Sequence, residues 1–215
     1  PTSNLPLAEG KGWMYEGGTR EPLLVRWPTA VEAGSTSGEV VTSPDFLPTL
    51  LGAADDASAA DGPWGATGGA GEAGAGRAAG LPHGVEGESF LPVLRGEADS
   101  LAREAVYWHY PHYGNQGGTP GSSVRSGRYK LIEFFETGRL ELYDLETDVG
   151  ENYDLADELP EVRDRLHALL ASWRESVEAK IPRLNPDYEP WPDRAPESRH
   201  GGRERRHLTA GIEFD

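Results

Sequence analysis

The 215-residue sequence contains no cysteine, which excludes disulfides, thiolate metal sites and cysteine nucleophiles together. Methionine occurs once, and only three of the 20 basic residues are lysines, at positions Lys11, Lys130 and Lys180. No apolar run approaches the ~18–20 residues needed to cross a bilayer. Positive charge is outweighed by 36 acidic residues, giving a formal net charge of −16. That balance argues against binding nucleic acid by phosphate neutralisation and against docking on an anionic membrane. An acidic, lysine-poor surface suits high salt, where repulsion is screened, and fits equally well with a GC-rich coding bias. The chain opens Pro1-Thr2-Ser3 without Met or a signal peptide, so a fragment or processed piece is expected.

Hydrophobic residues make up 37%, and 28 glycines bring the non-polar share to an ordinary level, so a core can form. Pro22 to Pro28 encloses the apolar run Leu23-Leu24-Val25 and reads as a buried strand. Ser43-Pro44-Asp45 reads as a helix start, with Ser43 capping and Leu47, Leu50 and Leu51 forming the buried face. A strand followed by a helix suits the end of an α/β domain, expected over 1–54. From 55 to 84 the composition collapses into Gly and Ala, which cannot offset backbone entropy by burial; a flexible insertion is expected there.

Residues 85–190 read as a small α+β module. Ala105–Tyr110, Ser122–Arg125, Tyr129–Phe135 and Leu140–Asp144 are β-branched and aromatic, and two of the separations have hairpin length, so about four antiparallel strands are expected. Val162, Leu166, Leu169, Leu170, Trp173 and Val177 then recur at helical spacing. That periodicity predicts a helix from near Pro160 to before Pro182, laid across one sheet face. The tail, 191–215, has little apolar patterning and is expected to be mobile.

The most specific signal is Gly10-Lys11-Gly12-Trp13-Met14-Tyr15-Glu16-Gly17-Gly18-Thr19-Arg20-Glu21-Pro22. It resembles the lysine loop of the type I sulfatases in the alkaline phosphatase superfamily, whose pattern is G-K-x-x-x-Y-E-G-G-x-R-x-P. Four further segments follow the family's order: Ser43 to Leu51, Glu86 to Leu94 (with Glu86 for the usual Asp), Arg125 to Ile132, and Glu141 to Leu145. The resemblance implies an α/β fold, the C-terminal part of an alkaline-phosphatase-like sulfatase domain, followed by the α+β module. It implies hydrolysis of sulfate esters, with carbohydrate sulfates as the expected substrates and a periplasmic or secreted location as the family tendency.

The same resemblance implies calcium and a formylglycine in the complete enzyme, the latter made from Cys or Ser in C/S-x-P-x-R. No such motif occurs here, and the family's early Asp pair and D-N-G motif are absent, so neither cofactor is expected to be held by this chain. The expected partner is therefore the missing N-terminal portion of the same protein, and the chain alone is expected to be inert. One family catalytic residue carries over: Lys11, matching the lysine that binds the sulfate group. An ammonium flanked by glycines can approach a sulfuryl group closely and stabilise its spread negative charge.

Other charged residues suit structural roles. Glu16 and Arg20 suit an ion pair bracing the Gly17-Gly18 turn, Asp45 an N-terminal helix anchor, and Arg125 and Lys130 solvated or paired sheet positions. The segment Trp108-His109-Tyr110-Pro111-His112-Tyr113-Gly114-Asn115-Gln116 combines rings with amides and imidazoles. Two histidines three apart without a third ligand make a poor metal site. His109, His112, Asn115 and Gln116 instead suit sugar hydroxyls, with Tyr110 and Tyr113 as stacking faces, while plain packing of the sheet is the alternative. Two other functions stay open: a phosphodiesterase or phosphonate hydrolase of the same superfamily, and a non-catalytic carbohydrate-binding module.

Overall fold

A computed structural model describes residues 3–61 and 86–183, without the side chains of 55–61. The insertion beyond residue 61 and the 191–215 tail, both expected to be mobile, lie outside the described residues. The chain forms two compact units, Pro1–Pro22 with Ala105–Asp215, and Leu23–Glu104. The lysine loop thus belongs to the same unit as the C-terminal sheet. Among the described residues no helix is long and apolar enough to cross a membrane.

In the first unit four strands, β1 (Val106–Tyr110), β2 (Gly121–Ser126), β3 (Tyr129–Phe134) and β4 (Arg139–Asp144), form an antiparallel sheet in sequence order. Register follows from the turns. The β2–β3 link is two residues, Gly127-Arg128, and Gly127 has φ +57°, as a tight hairpin turn demands. The four-residue β3–β4 link ends at Gly138, with φ +66°. Alternation along the strands then sorts side chains to two faces. Val124, Leu131 and Leu142 point to one face, where Leu166 and Leu170 of a helix (Pro160–Ser176) close the core. Tyr107 stacks flat on Trp173 at 4.8 Å on that side.

The other face carries Ile132, Phe134 and Tyr143, and is covered by Ala8, Met14 and Tyr15 from the N-terminal segment. Both faces of this small antiparallel sheet are therefore buried. A short helix, α1 (Glu16–Thr19), ends that covering segment.

In the second unit a 3-10 turn (Ser43–Asp45) leads into α2 (Phe46–Asp61), and α3 (Leu91–Leu94) packs near it. Three details differ from the sequence reading. Residues 23–27 form no strand, and Leu24 is 93% exposed; among the described residues no strand of this unit lies alongside to pair with them. The cap is Thr42 rather than Ser43: its amide and hydroxyl donate to Asp45 Oδ2 at 2.6 and 2.8 Å. Leu47, Leu50 and Leu51 are exposed, whereas Asp45 and Thr49 are buried. Polar bonding decides that orientation. Thr49 Oγ1 donates to the Asp45 carbonyl and accepts the Phe90 amide, while Asp45 Oδ1 accepts the Glu88 amide and the Arg103 guanidinium. Burial alone would raise the Asp45 pKa, but Arg103 and the amides of Glu88 and Thr42 hold it below the usual carboxylate value.

Candidate functional site

Residues 8–18 form a closed backbone loop with Lys11 exposed on it. Its neck is tied where the Gly17 amide donates to the Ala8 carbonyl at 2.9 Å, and Asn4 Nδ2 donates to the Gly17 carbonyl at 2.7 Å. The two adjacent glycines are needed for space. A Cβ on Gly17 would lie 2.2 Å from the Ala8 oxygen, and one on Gly18 would lie 2.1 Å from the Trp13 oxygen. Gly12, at φ +95°, turns the chain just after Lys11.

This loop docks on a second one, following β1. There the Gly114 amide donates to the Gly118 carbonyl at 2.8 Å, closing a turn that presents Asn115 and Gln116. Trp13 Nε1 donates to the Gln116 carbonyl at 3.1 Å, and the Gln116 side chain lies over Gly12. Gly118 meets the Gly12 carbonyl so closely that a Cβ would be 1.8 Å from it. Lys11 and Gln116 are thereby carried on two touching loops, with Asn115 on the same turn, and all three side chains are exposed.

The histidines are placed differently from each other. His112 is exposed, its ring edge-on to Tyr110 at 5.4 Å. His109 departs from the expected role: its Nδ1 is 2.6 Å from Ser122 Oγ and its Nε2 is 3.0 Å from the Lys180 carbonyl. With both ring nitrogens engaged by its cross-strand neighbour and the chain after the long helix, His109 braces the sheet. Tyr113 donates to Glu136 at 2.5 Å.

Beneath the lysine loop lies a buried charge cluster. Lys130 Nζ, fully buried on β3, is 2.9 Å from Glu16 Oε1, 3.2 Å from Glu151 Oε1 and 3.3 Å from Thr19 Oγ1. The Glu16 amide donates to Glu151 Oε2 at 2.6 Å. Arg20 and Arg125 approach Glu16 Oε2 at 3.5 and 3.7 Å, so the expected Glu16–Arg20 pair is present, with Lys130 the nearer partner. Beside this cluster Tyr15 and Tyr143 both donate to Glu141 Oε2 at 2.7 Å. Burial pushes Glu151 up to about 7, against the opposing pull of Lys130 and the Glu16 amide. Sequence reasoning missed this cluster. Strand parity offered one clue, since Lys130 shares a face with Ile132 and Phe134; nothing local marks Glu151.

The residues present do not fit the family's cofactors. Among the described residues no group of three or more His, Cys, Asp or Glu could hold a metal ion. The sequence holds no cysteine and no S-x-P-x-R from which a formylglycine could arise.

Residues 75–176 match the family N-sulphoglucosamine sulphohydrolase, C-terminal. A sulfatase of Formosa agariphila is 33% identical over 168 residues, covering 74% of this chain and 27% of that protein. N-acetylglucosamine-6-O-sulfatase of Bacteroides thetaiotaomicron is 31% identical over 145 residues, covering 66% of this chain and 22% of that protein. A solved structure of BT4656 in complex with its substrate D-glucosamine-2-N,6-O-disulfate superposes with TM-score 0.53 at 26% identity, covering 73% of this chain and 28% of that one. The fold matches the C-terminal module of sulfatases in the alkaline-phosphatase-like superfamily. Within that superfamily the chain matches the C-terminal region of the sulfatases. It spans about a quarter of the length of the curated relatives it matches.

Proposed function

We propose that this chain is the C-terminal part of an enzyme that hydrolyses sulfate esters of carbohydrates, and that Lys11 contacts the sulfate group. The observation that carries the reading is the joint between the two loops, which puts an exposed lysine next to exposed amide side chains on a rigid sheet. The relatives' own names and ligands support the substrate class: one acts on N-acetylglucosamine 6-O-sulfate by its name, and BT4656 takes a disulfated glucosamine. Lys11 supplies a compact positive charge for the sulfate oxygens. Asn115, Gln116 and His112 present hydrogen-bonding groups to sugar hydroxyls, with Tyr110 beside His112 as an apolar face. His109 contributes by holding β1 in register.

The exposed Leu23-Leu24-Val25 segment and the Leu47, Leu50 and Leu51 side of α2 are, in this reading, surfaces on which the remaining catalytic domain packs. The nucleophile and metal are supplied by that remaining part. The test joins this chain to the remaining sulfatase segments. Lys11→Ala then lowers turnover by ~10²-fold or more, and Lys11→Arg recovers little, because a planar fork replaces a point charge poorly. His112→Ala weakens kcat/KM for a sulfated saccharide and spares a small aryl sulfate that cannot reach it. Near-normal turnover of the Lys11→Ala enzyme sinks the assignment, and equal losses on both substrates remove His112 from the subsite.

A further inference from the structure

We propose that Glu151 is a positioning residue for Lys11, gripping the base of the lysine loop from beneath through the Glu16 amide and the Lys130 ammonium. The inference rests on Lys11 as the sulfate contact, and its test reads the loop itself rather than turnover.

The grip is on backbone as well as side chains. Glu151 Oε2 accepts the Glu16 N–H at 2.6 Å, on the residue that opens α1. Its Oε1 pairs with Lys130 at 3.2 Å, and the same ammonium reaches the Glu16 carboxylate and the Thr19 hydroxyl. α1 is thus held at its first amide, its first side chain and its last side chain. Glu151 is itself fixed: φ is +50°, its amide donates to the Asp148 carbonyl at 3.1 Å, and Gly150 before it sits against Asn152 and the Pro6 carbonyl.

A short path joins that grip to Lys11. Gly18, inside α1, is packed against the Gly10 and Trp13 carbonyls, the residues flanking the Lys11-Gly12 tip. A displacement of α1 has no slack to absorb it and moves both. Electrostatics make the grip adjustable. Two carboxylates share one buried ammonium, and Arg20 and Arg125 also approach the Glu16 carboxylate. Burial leaves the Glu151 carboxyl near 7, so it exchanges its charge around neutrality. A hydrogen bond to a carboxylate is roughly twice as strong as one to a neutral acceptor, so protonation loosens the hold on the Glu16 amide and gives Lys130 to Glu16 alone.

The test is a pH titration of the 215-residue chain from 5 to 9, followed by 1H–15N NMR. The Glu16 amide is expected to shift with a midpoint near pH 7, and the Gly10, Lys11, Gly12 and Trp13 amides to follow it with the same midpoint. In Glu151→Gln all of these become flat, whereas in His112→Ala they persist. That second variant is the control for the neighbouring loop, which touches the lysine loop and carries His112. The inference is overturned if the Glu16 amide does not titrate, or if it titrates while residues 10–13 stay flat. It is also overturned if the residue 10–13 titration survives Glu151→Gln. Should that variant not fold, the wild-type midpoints and His112→Ala decide the question. Loss of turnover in Lys11→Ala bears only on the sulfate assignment, so the two ideas fail separately.

Discussion

Replacing Gly118 by alanine tests the joint on which the site depends. The added Cβ would stand 1.8 Å from the Gly12 carbonyl oxygen and 2.9 Å from its carbon. Carbon and oxygen settle near 3.4 Å, so the two loops must part by roughly 1.5 Å. The obstacle is backbone on both sides, so no side-chain rotation relieves it. Gly118 is not in the left-handed region, which leaves space as the only objection to alanine there. Overpacking of this kind costs about 1–3 kcal/mol, and the upper end applies because neither wall is flexible. A separation of that size also breaks the Trp13 hydrogen bond to Gln116, at 3.1 Å in the native joint. Urea denaturation should show the loss. Amide exchange should quicken in residues 10–18 and stay unchanged in the long helix over Pro160–Ser176. In the complete enzyme a misplacement beyond 1 Å lowers turnover by ~10²-fold. Gly38→Ala, where a Cβ meets nothing within 4 Å, is the matched control. Native stability and native exchange in Gly118→Ala would refute the reasoning, since the loops would then be free to part.

Two further outcomes concern the second unit. Asp45→Asn, which leaves Arg103 facing a neutral group at a fully buried site, should destabilise by ~3 kcal/mol at neutral pH. Its depressed pKa stabilises the fold above the ordinary value of 3.8, and that contribution is lost as pH falls through the folded value. The gap between wild type and variant in chemical denaturation should therefore close towards pH 3, and a gap independent of pH would exclude a charge effect. Leu24→Ser should change stability by less than ~0.5 kcal/mol, because the side chain is 93% exposed. Leu131→Ala, at a fully buried position, should cost ~2–5 kcal/mol. A comparable loss at Leu24 would restore the buried strand that the sequence suggested.

The sheet and its helix were legible because their signals are local. Alternation over β3 and β4, the glycines at Gly127 and Gly138, and the apolar stripe from Val162 to Trp173 each fix a conformation within a few residues. The sequence also determined that Lys11 sits between glycines and that no cysteine chemistry is available. Burial was misjudged where the covering partner is not local. Leu23 to Val25 and the leucines of α2 have the pattern of core residues, yet burial needs a second surface, and among the described residues none covers them. The long-range pairings were beyond pattern reading too. Glu16 and Lys130 are 114 residues apart and Glu16 and Glu151 are 135 apart, and nothing in either neighbourhood specifies the other. A single sequence encodes propensity along the chain, whereas a buried charge is tolerable only where the fold delivers its counterion and hydrogen bonds. The tertiary structure alone therefore decided that the lysine loop rests on a buried ionic cluster, and that His109 meets Ser122 and the Lys180 carbonyl while the Gln116 side chain lies over Gly12.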